Sequence, residues 1–133
     1  MNDAVPLIAE VIVALALAAT GVSLIWMALA GRNGRLRRNP FVGIRTTLTL
    51  SSDTAWDVAH RSSASFTLTA GIGALACAAL ALVADSTGLL TTAAAVAAVW
   101  LLLWVAVGAL IGIRAAKKVV ADDPDAGITA SHP

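Results

Sequence analysis

VIVALALAATGVSLIWMALA, residues Val11 to Ala30, is a run of twenty positions without a single Asp, Glu, Lys, Arg or His. A helix of about 20 such residues crosses the roughly 30 Å hydrocarbon core of a bilayer, so the run reads as a membrane span. Two more runs of this kind follow, Ser65 to Ala84 and Leu89 to Ile113. The chain has 133 residues, 59% of them hydrophobic and 13% charged, and the three runs occupy about half of it. No remaining segment is long enough to bury an independent soluble core, which excludes a soluble enzyme or a transcription factor. The reading is an all-α integral membrane protein, a single membrane domain over 1–133. Its spans are expected at about 6–30, 65–84 and 89–113, the second preceded by a helix extension from about residue 53, and 114–133 is expected to be a partly mobile tail.

The nine basic residues set the expected orientation. Arg32, Arg35, Arg37, Arg38, Arg45 and Arg61 lie between the first and second spans, and Arg114, Lys117 and Lys118 follow the third. None precedes the first span or separates the second from the third. Because cytoplasmic loops carry the excess of Lys and Arg, the N-terminus is expected outside and the C-terminus inside. A structured cytoplasmic loop then joins helices 1 and 2, and a short outer turn falls at Asp85 to Gly88. Ala28 and Ala30 before Gly31 imitate a signal-peptide cleavage site. The N-terminus, however, offers only Asp3 where such a peptide needs positive charge, and the apolar run is too long. The lone Cys77 lies inside the second span, where it reads as a small core residue.

Local signals divide the chain further. Pro6 suits the first turn of helix 1, Gly31 its end, and Glu10 the favourable field at its start. Gly31, Gly34, Pro40 and Gly43 mark a loop, and Ser51 or Ser52 caps a helix beginning near Asp53. That helix either runs unbroken to Asp85 or bends near Ser62 to Ser65. Trp56, His60 and Ala64 share one of its faces, and Asp57 and Arg61 stand four apart, as an ion pair requires. Ala70, Ala74, Ala78 and Ala81 form a stripe of small residues, and Gly108 and Gly112 form a GxxxG, both suited to close helix packing within the chain or with a partner. Trp26 fits an interfacial belt, while Trp100 and Trp104, near mid-span, either fill space between helices or contact a ligand or partner.

Chemistry is scarce. The apolar cores carry no ionisable group for ion or proton transport, and the body of the chain supplies one His and one Cys, too few for zinc. Asp57, His60 and Ser63 follow one another at steps of three, but no nucleophile turn or oxyanion hole accompanies them. Gly31 to Gly34 lacks the setting of a phosphate loop. The expectation is therefore no catalytic residue, no cofactor, no metal and no nucleic acid. The basic run suits anionic lipid headgroups or an acidic cytosolic protein, and Asp122, Asp123 and Asp125 read as a solvated end.

The string Arg38-Asn39-Pro40-Phe41-Val42-Gly43-Ile44-Arg45-Thr46, followed by Thr49-Leu50-Ser51-Ser52, Trp56 and His60-Arg61, resembles the signature of the SdpI family of small integral membrane proteins. The resemblance spans residues 38 to 61 and implies a helical protein of the bacterial cytoplasmic (inner) membrane. The family's namesake is an immunity protein against a secreted killing peptide and a receptor that sequesters a cytosolic repressor. This chain is much shorter than that namesake. It is expected to be non-enzymatic and to protect or signal by binding a membrane or cytosolic protein through the motif at 39–61. Asn39, Gly43, Arg45, Thr46, Trp56, His60 and Arg61 either recognise that partner or fix the loop. The other expectation is an accessory or structural subunit of a larger membrane complex, held through Ala70, Ala74, Ala78, Gly108 and Gly112. The oligomeric state stays open.

Overall fold

A computed structural model describes residues 6–122. They form three helices, α1 (Leu7–Arg32), α2 (Asp53–Leu82) and α3 (Thr87–Asp122), each long and apolar enough to cross a membrane. The helices alternate in direction. The central α2 packs against both neighbours, while α1 and α3 scarcely touch. At one end Ala14 of α1 clusters with Ala81, Ala84 and Leu90. At the other, Ala55 and Ala59 of α2 cluster with Ala116 of α3.

Small residues set the helix spacing. In lipid, apolar side chains gain little by leaving one apolar medium for another, so helices associate where their backbones approach closely. Ala70, Ala74, Ala78 and Ala81 are all buried on α2. Gly108 and Gly112 are buried against α2 as well: a Cβ on Gly108 would stand 3.1 Å from Phe66 Cβ, and one on Gly112 would stand 2.7 Å from the Ala59 carbonyl. The GxxxG is thus consumed inside the molecule. The closest approach of α1 and α2 comes from a pair that the sequence reading did not single out. A Cβ on Gly21 would lie 2.8 Å from the Gly71 carbonyl, and one on Gly71 would lie 2.8 Å from the Gly21 carbonyl. Trp100 donates its indole N–H to the Thr69 carbonyl at 3.1 Å, and Trp104 stacks on Phe66 at 6.1 Å.

α2 is one unbroken helix, the first of the two alternatives that the sequence left open. Ser52 caps it, its side chain accepting from Ala55 N at 3.1 Å. At 1.5 Å per residue it extends about 45 Å, more than a bilayer core, so its first turns project beyond the end of α1. α3 projects beside them: the helix continues past residue 113, where the apolar run ends, to Asp122. Residues 114–122 contain neither Gly nor Pro, and burial of Ala116 against Ala55 and Ala59, with Val120 packed on the same cluster, holds the added turns. Asp123 and Asp125 lie outside the described residues.

α1 also ends slightly later than Gly31, for a local reason. Gly34 N–H donates to the Gly31 carbonyl at 3.2 Å and Arg35 N–H to the Ala30 carbonyl at 2.8 Å, the paired bonds of a Schellman cap. Gly34 supplies the positive φ, 66°, that this cap requires.

Gly71→Leu is expected to lower thermal stability in detergent micelles by at least about 1–3 kcal/mol, because both sides of the crossing are backbone that cannot yield. Gly88→Ala, which meets nothing within 4 Å, should leave stability unchanged or raise it by up to about 1 kcal/mol. Equal melting of the two variants by circular dichroism would contradict the crossing.

Candidate functional site: a loop pinned across the helix ends

The connection from α1 to α2 is a cap, built by local turns and then fastened to α2. Asn39 starts it: its side-chain carbonyl accepts from Phe41 N at 2.9 Å and Val42 N at 2.8 Å, while its amide donates to the Arg37 carbonyl. Arg45 folds back to donate to the Pro40 carbonyl and, at 3.4 Å, to the Phe41 carbonyl. Thr46 and Thr49 close the second turn. Thr49 Oγ1 accepts from Thr46 N at 2.9 Å and donates to the Ile44 carbonyl at 2.6 Å, with its side chain fully buried.

Three contacts tie this cap to α2. Trp56 Nε1 donates to the Leu36 carbonyl at 2.7 Å. Arg38 donates to the Leu50 carbonyl at 2.8 Å and pairs with Asp53 at 3.0 Å. The third is His60, whose ring lies 4.2 Å from that of Trp56, centroid to centroid. Its Nε2 lies 2.9 Å from Ile44 N, and its Nδ1 lies 2.8 Å from the Trp56 carbonyl. A backbone N–H can only donate, so Nε2 accepts. Nδ1 therefore carries the proton and donates, which makes the ring neutral. Gly43 allows this approach: its φ is 106°, and a Cβ there would stand 2.2 Å from Nε2. Gly31 meets the other side of the same residue, where a Cβ would stand 3.1 Å from His60 Cβ.

The residues expected from sequence thus fall into two sets. Asn39, Gly43, Thr46, Trp56 and His60 hold the cap together. Arg61 is on its surface, paired with Asp57 at 2.7 Å, and Arg45 is exposed although its guanidinium is bonded to the loop. Trp56 fixes the loop, one of the two roles expected of it. It is 2% exposed and belongs to the core of the cap. Ile44 and Thr49 belong to the string that carries the resemblance but were not expected as site residues, and Leu36 lies outside it; Leu36 and Ile44 contribute through backbone groups that any residue carries, and Thr49 through a bond within the turn.

Asp57, His60 and Ser63 do not form a triad. Asp57 is engaged by Arg61, both ring nitrogens of His60 are taken by backbone, and Ser63 donates to the His60 carbonyl at 3.2 Å. Beneath Ile44 a cavity of about 140 Å³ opens among the three helices, bordered by Leu24 and Met27 of α1, Ser63 and Thr67 of α2, and Val105 and Ala109 of α3. Beside the cap a polar groove of about 500 Å³ is bordered by Arg37, Arg38, Arg61, Asp53 and Asp57. Arg38 and Arg61 are each paired with an Asp; Arg37 has no side-chain partner among the described residues. No cluster of three or more His, Cys, Asp or Glu suited to a metal ion occurs among the described residues.

A three-helix membrane module carrying an ordered cap between its first two helices is the class that these features define. The family model described as the SdpI/YfhL protein family matches residues 35–115, from the cap through α2 and most of α3, and the chain belongs to that family. Neither a curated protein nor a solved structure matches it.

Burial pushes the His60 pKa below its ordinary 6.5, while the hydrogen bond to the Trp56 carbonyl and the nearby Asp57 charge pull it partly back. The undocked chain therefore binds the proton more readily than the docked one. Docking is at full strength above about pH 6.5, and it is lost as the pH falls through the lower pKa of the docked state, where Nε2 gains a proton and can no longer accept from Ile44. Amide-exchange protection at Ile44 to Leu50 should fall on acidification in the wild type, and the acid-dependent part of that fall should vanish in His60→Ala. Gly43→Ala should loosen the cap at every pH, by more than about 1 kcal/mol.

Proposed function

We propose that this chain is a non-enzymatic binding protein of the bacterial cytoplasmic membrane, acting in immunity or signalling through the outer surface of the cap at 39–61 and the groove beside it. The observation that carries the reading is the division of labour in the cap. Its buried members hold the loop in one conformation, and Arg37, Arg45 and Arg61 are left on the outside of a surface that is already ordered. A preordered loop loses less conformational freedom when a partner docks.

Charge supports the orientation and the partner's chemistry. The ends of α1 and α3, the cap and the start of α2 lie together, so all nine Lys and Arg gather at one end of the molecule, while the α2–α3 turn at the opposite end carries only Asp85. Such an excess belongs on the cytoplasmic side. The groove's two acids neutralise two of its three arginines, which leaves Arg37 to meet an acidic segment of a cytosolic partner or anionic headgroups. A second reading, an accessory subunit of a membrane complex, rests on the apolar face of α1 turned away from α2, including Trp26, which is 59% exposed. Gly108 and Gly112 no longer support it, being spent on α2.

Purification of the tagged protein in mild detergent, beside an Arg37→Glu variant, separates the two readings. Binding through the cap predicts a substoichiometric soluble partner that the variant loses while inserting and melting like the wild type. A membrane partner kept at fixed ratio in both would overturn it in favour of the subunit reading.

A further inference from the structure

We infer that the tip of the cap, Phe41 with Val42, is seated in the membrane interface, so that the loop is anchored to the lipid as well as to α2. Phe41 is 84% exposed and Val42 38% exposed. That exposure is not looseness. The Asn39 side chain accepts from both their backbone N–H groups, and Arg45 bonds the Phe41 carbonyl from the other side. The tip therefore presents an aromatic ring from a backbone that is already held, without protein cover.

Its height in the molecule identifies what covers it. Gly31, in the last turn of α1, packs against His60, and Gly43 packs against the ring of the same residue. The chain advances at most about 3.6 Å per residue, so Phe41, two positions before Gly43, lies within about 7 Å of that level. There the apolar run of α1 gives way to Arg32, which is where a bilayer's hydrocarbon meets its headgroups. Charge agrees with a lipid occupant. Residues 33–52 carry Arg35, Arg37, Arg38 and Arg45 and no Asp or Glu; with Arg38 paired to Asp53, three positive charges remain to attract anionic headgroups around an inserted ring. Trp56, the aromatic better suited by type to an interface, is buried and cannot serve. The inference depends neither on which side of the membrane the cap faces nor on the partner proposed above.

The test places a nitroxide label at the tip. In a Cys77→Ala background, Phe41→Cys is labelled and the protein reconstituted into phosphatidylcholine vesicles containing phosphatidylglycerol. Thr54→Cys, exposed about 9 Å further along α2 from His60, serves as the water reference. Leu15→Cys, on the uncovered face of α1, serves as the lipid reference. The label at 41 should collide with oxygen in preference to a water-soluble nickel chelate and lie several-fold nearer the lipid reference in that ratio, with Val42→Cys behaving alike. A label at 41 as open to the chelate as that at 54 would overturn the inference, and so would one shielded from both probes, which would mean that protein covers the tip. Unchanged melting of the labelled variants confirms that each reads the native cap.

Discussion

Three separate parts of the chain meet at His60, whose imidazole is neutral. The last turn of α1 reaches it through Gly31, the cap through Gly43 and the Ile44 N–H, and its own helix through the Trp56 carbonyl. The ring has one donor and one acceptor, and backbone groups use both. A buried polar group left without a partner is destabilising by about 1–3 kcal/mol, so the ring and the Ile44 amide each require the other. The geometry also dictates composition around it: Gly43 has no room for a side chain, and only a ring nitrogen without its proton can accept from Ile44. The cap's position over the helix ends follows from that single arrangement.

Below the cap a different constraint governs. The bilayer rewards apolar surface on the outside of the bundle, so hydrophobicity does not choose which helix faces which. Backbone proximity does, through Gly21 on Gly71, the alanine stripe of α2, and Gly108 and Gly112 on α3. α2 carries contacts on both sides because its small residues are distributed round it, and α1 and α3 remain nearly independent of each other. The cavity among the three helices under Ile44 is where this arrangement leaves the interior unfilled. The two halves of the molecule are joined because α2 and α3 both continue past the end of α1, and Ala55, Ala59, Ala116 and Leu48 continue the packing there.

Functionally, the cap's polar capacity is largely consumed by its own architecture. His60, Trp56, Thr49 and Asn39 are engaged in holding backbone, and Asp57 and Asp53 in holding arginines. What is left outward is positive charge and one aromatic ring. The motif at 39–61 is therefore legible in two layers, with residues that give the cap its shape lying a few positions from residues that the shape displays.

Composition alone determined that three helices of this chain suit a membrane, because span length and apolarity are properties of consecutive residues. The Ser52 cap and the Asp57–Arg61 pair were equally legible, since each joins positions three or four apart on one helix. The family resemblance was legible for the same reason, lying within the short stretch from residue 38 to 61. Tertiary structure decided the rest. His60 finds Ile44 sixteen residues away, Trp56 finds Leu36 twenty away, and both partners are backbone groups that carry no mark in the sequence. Trp56 is buried and Phe41 exposed because the cap folds back over α2. The added turns of α3 and the internal use of Gly108 and Gly112 likewise depend on what stands opposite, a fact that exists only once the helices have met.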